Sequence, residues 1–140
     1  MYIKGYIHKS RVRFLEDLPT YNGKKFSFTY QLIPFTKKNK IIEYGQSNWG
    51  MLINGLPVWG TDMEIPKTEV VNIDIKIGEN IIVVPKILIA DIYECSNNFN
   101  VYKKDDTYFV QQWNSDGAGG YELIWVITKE GVQQRFIGAY

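Results

Sequence analysis

Residues Gln111-Gln112-Trp113-Asn114-Ser115-Asp116-Gly117-Ala118-Gly119-Gly120-Tyr121-Glu122-Leu123-Ile124-Trp125-Val126-Ile127 decide the fold class. An aromatic segment runs into a glycine-rich turn holding one acid, and a segment of aromatic and branched residues returns from it. In an extended chain Tyr121, Leu123, Trp125 and Ile127 share one face, while Ile124 and Val126 make the other face apolar too. A strand apolar on both faces belongs inside a sheet or under a cover. The stretch therefore reads as the central hairpin of a β-sheet, with the loop 115–120 as its most unusual surface feature.

Working outward, Lys129-Glu130-Gly131 puts glycine where a three-residue hairpin loop needs its left-handed residue, returning the chain along 132–137. Upstream, 101–103 and 107–113 flank Lys104-Asp105-Asp106 as another hairpin, after a loop at 96–100. Residues 69–77 are the most regular strand, with Val71, Ile73, Ile75 and Ile77 on one face, and Gly78-Glu79-Asn80 turns it into 81–84. Beyond Pro85, Ile89, Ile92 and Tyr93 fall at helical spacing and proline suits a first helical turn, so one short helix is expected over about 85–94.

Nearer the start, Asn22-Gly23 and Asn54-Gly55 are both dipeptides that tolerate positive φ at the centre of a type I′ hairpin, and Pro57 places the second return strand at an edge. Phe26, Phe28, Tyr30 and Leu32 alternate with Ser27, Thr29 and Gln31 as far as Pro34. A charged turn, Lys37-Lys38-Asn39-Lys40, leads to a short strand at 41–44. Residues 2–8 alternate like a half-buried strand, 11–18 can be read either as a strand or as its end, and 45–50 and 60–66 are connections. Many short strands joined mostly by hairpins, with at most one short helix, make a mainly β protein: an antiparallel β-sandwich or an open barrel.

At 140 residues the chain fits a single domain, 1–140, able to bury roughly two-thirds of its unfolded surface. Hydrophobic residues at 45% with a net charge of +1 describe a globular chain rather than a disordered one. Near-neutral charge argues against a nucleic-acid binder, whose phosphate contacts need a concentrated basic surface. The groups Lys9-Arg11-Arg13 and Lys37-Lys38-Lys40 read as solvated turns or strand faces. One cysteine, Cys95, rules out an internal disulfide and with it a secreted disulfide scaffold. The first residues lack the apolar run of a signal peptide, and no stretch approaches the ~18 apolar residues of a membrane span. The expectation is a cytoplasmic protein with no membrane or nucleic-acid partner.

Candidate chemistry narrows by subtraction. One histidine and one cysteine, far apart, supply too few ligands for a His/Cys metal cluster. A nucleophile–histidine pair would have to use His8, which shares a strand face with lysine and tyrosines; Cys95 reads as a small core residue. The Gly-x-Gly of the loop is followed by a strand, not by Gly-Lys-Ser/Thr and a helix, so it lacks the helix N-terminus of a phosphate cradle. The oxygen-ligand spacing of a calcium loop is missing around Asp116. No catalytic set, metal site or cofactor is therefore expected.

What remains are acids near aromatics. Asp62 follows Trp59-Gly60-Thr61, and Asp116 precedes three glycines and Tyr121. Two carboxylates beside tryptophan could serve a glycosidase, while turn aspartates more simply accept backbone N–H bonds. Trp125 and much of the other tryptophan surface read as core, yet Trp49 and Trp59 adjoin irregular polar loops and are the aromatic candidates for a contact surface. The candidate binding residues are thus Trp49, Trp59, Asp62, Asp116 and Tyr121.

The motifs Leu52-Ile53-Asn54-Gly55, Trp59-Gly60-Thr61-Asp62, Pro66-Lys67-Thr68-Glu69 and Ser115-Asp116-Gly117-Ala118-Gly119 with Tyr121 and Trp125 resemble a group of small uncharacterised bacterial proteins across the C-terminal two-thirds of the chain. In that group Gly-Gly-Leu-Pro follows the tryptophan motif, where this chain has Met63-Glu64-Ile65-Pro66. The resemblance implies a bacterial intracellular setting and carries no activity, ligand or cofactor. The leading expectation is a non-enzymatic β-rich binding or interaction protein, the inhibitor or immunity type being one form, with another protein as partner. The alternatives are a carbohydrate or small-ligand domain using tryptophan stacking and Asp/Glu, and a structural subunit of a larger assembly.

Overall fold

The computed structural model describes residues 8, 10, 12–45, 50–115 and 119–138. Ten strands follow one another: β1 (Phe26–Pro34), β2 (Ile42–Tyr44), β3 (Met51–Ile53), β4 (Leu56–Pro57), β5 (Thr68–Ile77), β6 (Asn80–Ile82), β7 (Asn100–Lys104), β8 (Thr107–Asn114), β9 (Tyr121–Thr128) and β10 (Gly131–Gly138). They form three antiparallel sheets, ordered β1-β5-β6, β10-β9-β8-β7 and β2-β3-β4. The expected mainly β architecture is present, and none of the sheets closes into a barrel.

The two larger sheets pack face to face around the core. Phe26, Phe28 and Tyr30 of β1 with Ile73 and Ile75 of β5 meet Tyr108 and Val110 of β8 and Leu123, Trp125 and Ile127 of β9. Phe26 stacks on Tyr108 with ring centroids 4.3 Å apart, and the Trp125 indole N–H donates to the Tyr30 hydroxyl at 2.9 Å. That bond satisfies both polar tips where burial would otherwise penalise them. β9 is flanked by β8 and β10, as its two apolar faces require.

The alternation of β8 does not stay apolar. Gln112 and Asn114 continue the inward face at 2% exposure each; Gln112 Nε2 donates to the carbonyls of Ser96 and Asn98, and Asn114 Nδ2 donates to Gln112 Oε1 at 2.8 Å. Asn114 Oδ1 has no hydrogen-bond partner among the described residues.

Four local expectations need correction. The helix over about 85–94 is only a 3-10 turn at Lys86–Leu88. Its continuation is captured by distant backbone: Ile92 bridges Trp59, Tyr93 bridges Glu69, the Trp59 N–H donates to the Asp91 carbonyl, and the Tyr93 N–H donates to the Trp59 carbonyl. Asn22-Gly23 does not form a type I′ turn, because neither residue has positive φ. The preceding segment instead lies along β7, where Thr20 bridges Tyr102 and the Tyr21 N–H donates to the Val101 carbonyl at 2.7 Å. The Tyr21 ring lies over Gly23, where a Cβ would have to displace its hydroxyl end. In β5 the register skips Val71 opposite Gln31 and Leu32, so Val70 turns inward and Val71 leaves the core face. The bulge costs one residue of phase, which alternation alone does not reveal. Among the described residues of the 11–18 segment, 12–18, there is a 3-10 turn at Leu15–Asp17 and no strand.

Other turns match. Asn54 and Gly55 have φ of 52° and 77°, joining β3 to β4 with Pro57 on an edge. Gly131 has the expected positive φ, 134°, but it already pairs with Thr128 at the start of β10, so the loop is the two residues Lys129-Glu130 rather than three. Of the expected strand at 2–8 only His8 lies within the described residues.

Candidate functional site

The two stretches singled out by sequence lie side by side. Trp59 is held by the bridge to Ile92, and Gly60 follows at φ 101°, where a Cβ would collide with the Tyr93 carbonyl oxygen and sit 3.0 Å from the Tyr121 ring. Only glycine fits that approach. The chain then turns outward through Thr61 and Asp62, against which the far end of the glycine-rich loop is packed: a Cβ on Gly119 would lie 2.9 Å from the Thr61 carbonyl carbon and 3.0 Å from Asp62 Oδ1. Gly119 and Gly120 are buried, so this end of the loop is a packing surface rather than an exposed tip.

Beside that contact is an open hollow of about 350 Å³. Thr61, Asp62, Glu64, Lys67, Glu94 and Ser115 supply its polar lining, with Gly60 and Ile65 completing it. Asp62, Glu64, Lys67 and Ser115 are exposed, whereas Glu94 is half-buried. Glu94 Oε1 accepts the backbone N–H groups of Lys67 and of Thr68, the latter at 3.1 Å, while the Glu94 N–H, from a residue at φ 54°, donates to the Thr68 carbonyl at 3.4 Å. This reciprocal clip fixes the floor of the hollow and occupies the Glu94 carboxylate structurally. Asp62 and Glu64 carry the outward-facing negative charge, with one lysine, Lys67, among them.

Behind the hollow, Tyr121 is fully buried and cannot itself meet a partner. Its O–H donates to the Tyr93 carbonyl at 2.9 Å, which leaves the Cys95 S–H to donate to the Tyr121 oxygen at 3.1 Å. Burial pushes the Tyr121 hydroxyl well above its ordinary range, reinforced by the neighbouring Cys95. Burial likewise pushes the Cys95 thiol up to about 12, so it is a buried thiol rather than a nucleophile. Trp59 is half-buried, its ring tilted against Tyr121 with centroids 6.3 Å apart. Of the five candidate residues, the structure thus places Asp62 on the hollow and Trp59 and Tyr121 in the packing behind it, while Trp49 and Asp116 lie outside the described residues.

Sequence reasoning missed Glu94 and Lys67, which lie 27 residues apart, because only the bridge between Tyr93 and Glu69 brings them together. No local signal marks either. It also missed an ion pair: Arg135 of β10 binds Asp91 through both carboxylate oxygens at 2.6 and 3.0 Å and donates to the Leu88 carbonyl at 2.8 Å.

Among the described residues no group of three or more His, Cys, Asp or Glu side chains is arranged to hold a metal ion, and none of the residues lining the hollow is a tryptophan. His8 Nδ1 lies 2.8 Å from Ser10 Oγ, two residues away, in an exposed local turn remote in sequence from the hollow. Among the described residues no helix is long and apolar enough to cross a membrane. Comparison of the chain with protein-family models, with curated proteins and with solved structures returns no match in any of the three. The site must therefore be argued from its own residues.

Proposed function

We propose that this chain is a non-enzymatic binding protein whose contact surface is the acidic hollow beside Asp62, and that its partner is another protein presenting a basic loop or patch. The observation that carries the reading is the convergence of the Trp59-Gly60-Thr61-Asp62 turn with Ser115 and Gly119, the two ends of the glycine-rich loop, beside one open hollow, with two outward-facing carboxylates and no assembled nucleophile or base among the described residues. The buried Tyr121 and Cys95 behind it and the half-buried Glu94 clip at its floor hold the hollow in shape before a partner arrives, which lowers the ordering cost of association. Exposed acids of this kind contribute mainly to encounter rate and partner choice. The setting in this reading is the bacterial cytoplasm, supported by the single cysteine, by its burial and by the motif resemblance.

Affinity capture from the producing cells with the native chain and with an Asp62→Ala/Glu64→Ala variant tests the proposal. A stoichiometric protein that the native chain retains, that elutes with rising salt and that the variant loses is the expected result. Capture of the same protein by both chains at equal strength would place the contact elsewhere.

A further inference from the structure

A second opening shares none of the acidic hollow's residues and carries the opposite charge. Residues 19–21 run along β7, where the Lys103 N–H donates to the Pro19 carbonyl at 3.2 Å and Thr20 bridges Tyr102. The chain before them crosses the outward face of the four-stranded sheet, and there Gln111 Nε2 donates to Glu16 Oε1 at 3.4 Å. β8 turns Tyr108 and Val110 into the core, so Phe109 stands on that outward face, paired with Tyr102 on one side and Val126 on the other. Leu15 and Leu18, tied together by the Leu18 N–H to the Leu15 carbonyl at 3.0 Å, join Phe109 as the apolar lining of an open hollow of about 380 Å³.

Two cations adjoin this apolar surface. Arg13, the last of the basic group Lys9-Arg11-Arg13, comes from the crossing segment, and Lys104 comes from the end of β7. Both line the hollow and both are exposed; among the described residues neither side chain has a hydrogen-bond or ion-pair partner. No acid is among the described lining residues. Acids stand just outside instead: Glu16 and Asp17 between the two leucines, Asp105 and Asp106 directly after Lys104, all of them exposed. Positive charge is therefore confined to the hollow. A membrane or an acidic protein face would meet those four carboxylates as well and be repelled by them, whereas one small anionic head meets the two cations alone. An apolar lining with a few converging polar groups is also the usual composition of a small-ligand site.

We infer that this hollow binds one amphiphilic carboxylate, its head between Arg13 and Lys104 and its hydrocarbon tail along Leu15, Leu18 and Phe109. A guanidinium presents two parallel N–H donors to a carboxylate, and the lysine adds a point charge. The tail also covers Phe14, which lines the same hollow with its side chain 72% exposed. This site is independent of the protein contact proposed at Asp62.

Titration of the full chain with sodium decanoate, kept below its micelle-forming concentration and followed by calorimetry and backbone amide shifts, tests the inference. Saturable one-to-one binding is expected, with the largest shifts at Leu15, Leu18 and Phe109. Affinity should fall roughly fourfold for each buried methylene removed from the tail, so octanoate binds more weakly and acetate not measurably. Arg13→Gln and Lys104→Gln should each weaken decanoate binding by roughly three- to tenfold at an unchanged melting temperature, because both side chains are exposed and unpartnered among the described residues. Lys76→Gln, beside the exposed Ile81 and Val83 on the other large sheet, should leave binding unchanged. Four results would each overturn the assignment: no saturable binding, equal weakening by Lys76→Gln, full affinity in the Arg13→Gln/Lys104→Gln double variant, or binding to phosphatidylglycerol vesicles without binding of free decanoate.

Discussion

Raising the pH should unfold this protein well before its exposed groups would, because the core is stitched together by groups that must stay protonated. Tyr30, Tyr121 and Cys95 are 2%, 0% and 6% exposed. Burial is the leading cause that pushes all three upward: Cys95 from 9.0 to about 12, and the two tyrosines far above their ordinary 10.0. In the unfolded chain they titrate normally. Between the unfolded and folded values the native state therefore binds more protons, and the free energy of unfolding falls as pH rises. At about pH 11 an unfolded tyrosine contributes ~1 kcal/mol of this loss and an unfolded thiol ~3, giving roughly 5 kcal/mol for the three groups. Tyr93, pushed up to about 12 chiefly by burial, adds to the same direction. A domain of this size is stable by ~5–15 kcal/mol in total, so most of the margin disappears within that window. Urea titrations followed by tryptophan fluorescence at about pH 8 and about pH 11 measure the difference directly. Cys95→Ala, compared with its own value near pH 8, should reduce the pH-dependent loss by about half. A native chain equally stable at both pH values, or a loss unaffected by Cys95→Ala, would refute the assignment of these buried protons.

Two further perturbations probe the supports of the hollow. Gly60→Ala should cost about 2–5 kcal/mol in denaturant unfolding, because alanine would combine a φ of 101° with a collision at the Tyr93 carbonyl; a cost under ~1 kcal/mol would mean that the turn relaxes freely. Asp91→Ala should cost about 3 kcal/mol by stranding Arg135, whose side chain is only 14% exposed, and an accompanying Arg135→Met should recover most of it, as a double-mutant cycle would show.

The elements that local chemistry specifies completely were readable from the chain. β9 announces its central position because Leu123 and Trp125 face one way while Ile124 and Val126 face the other, and the Asn54-Gly55 turn forms because those residues tolerate positive φ. The failures share a cause. Ile89, Ile92 and Tyr93 have helical spacing, but the backbone at 91–93 is worth more to the fold paired with Trp59 and Glu69 than in an isolated turn. Asn22-Gly23 could make a hairpin, yet the edge of β7 takes the segment just before it. The same holds for the candidate site. Asp62 was found by its place after Trp59-Gly60-Thr61, whereas Glu94 carries no local mark and matters only because it accepts two N–H groups from across the structure.

The sequence by itself determined the class of fold, the hairpin around the glycine-rich loop and the scarcity of histidine and cysteine, since alternation, turn chemistry and residue counts are properties of the chain. Tertiary structure decided what the loop 115–120 is next to. Its glycines invite a phosphate-binding reading; the buried Gly119 shows that the far end of the loop is small because Thr61 and Asp62 press against it. Tertiary structure also withdrew Tyr121 from the surface, because burial depends on which strands find one another, and no local pattern carries that information.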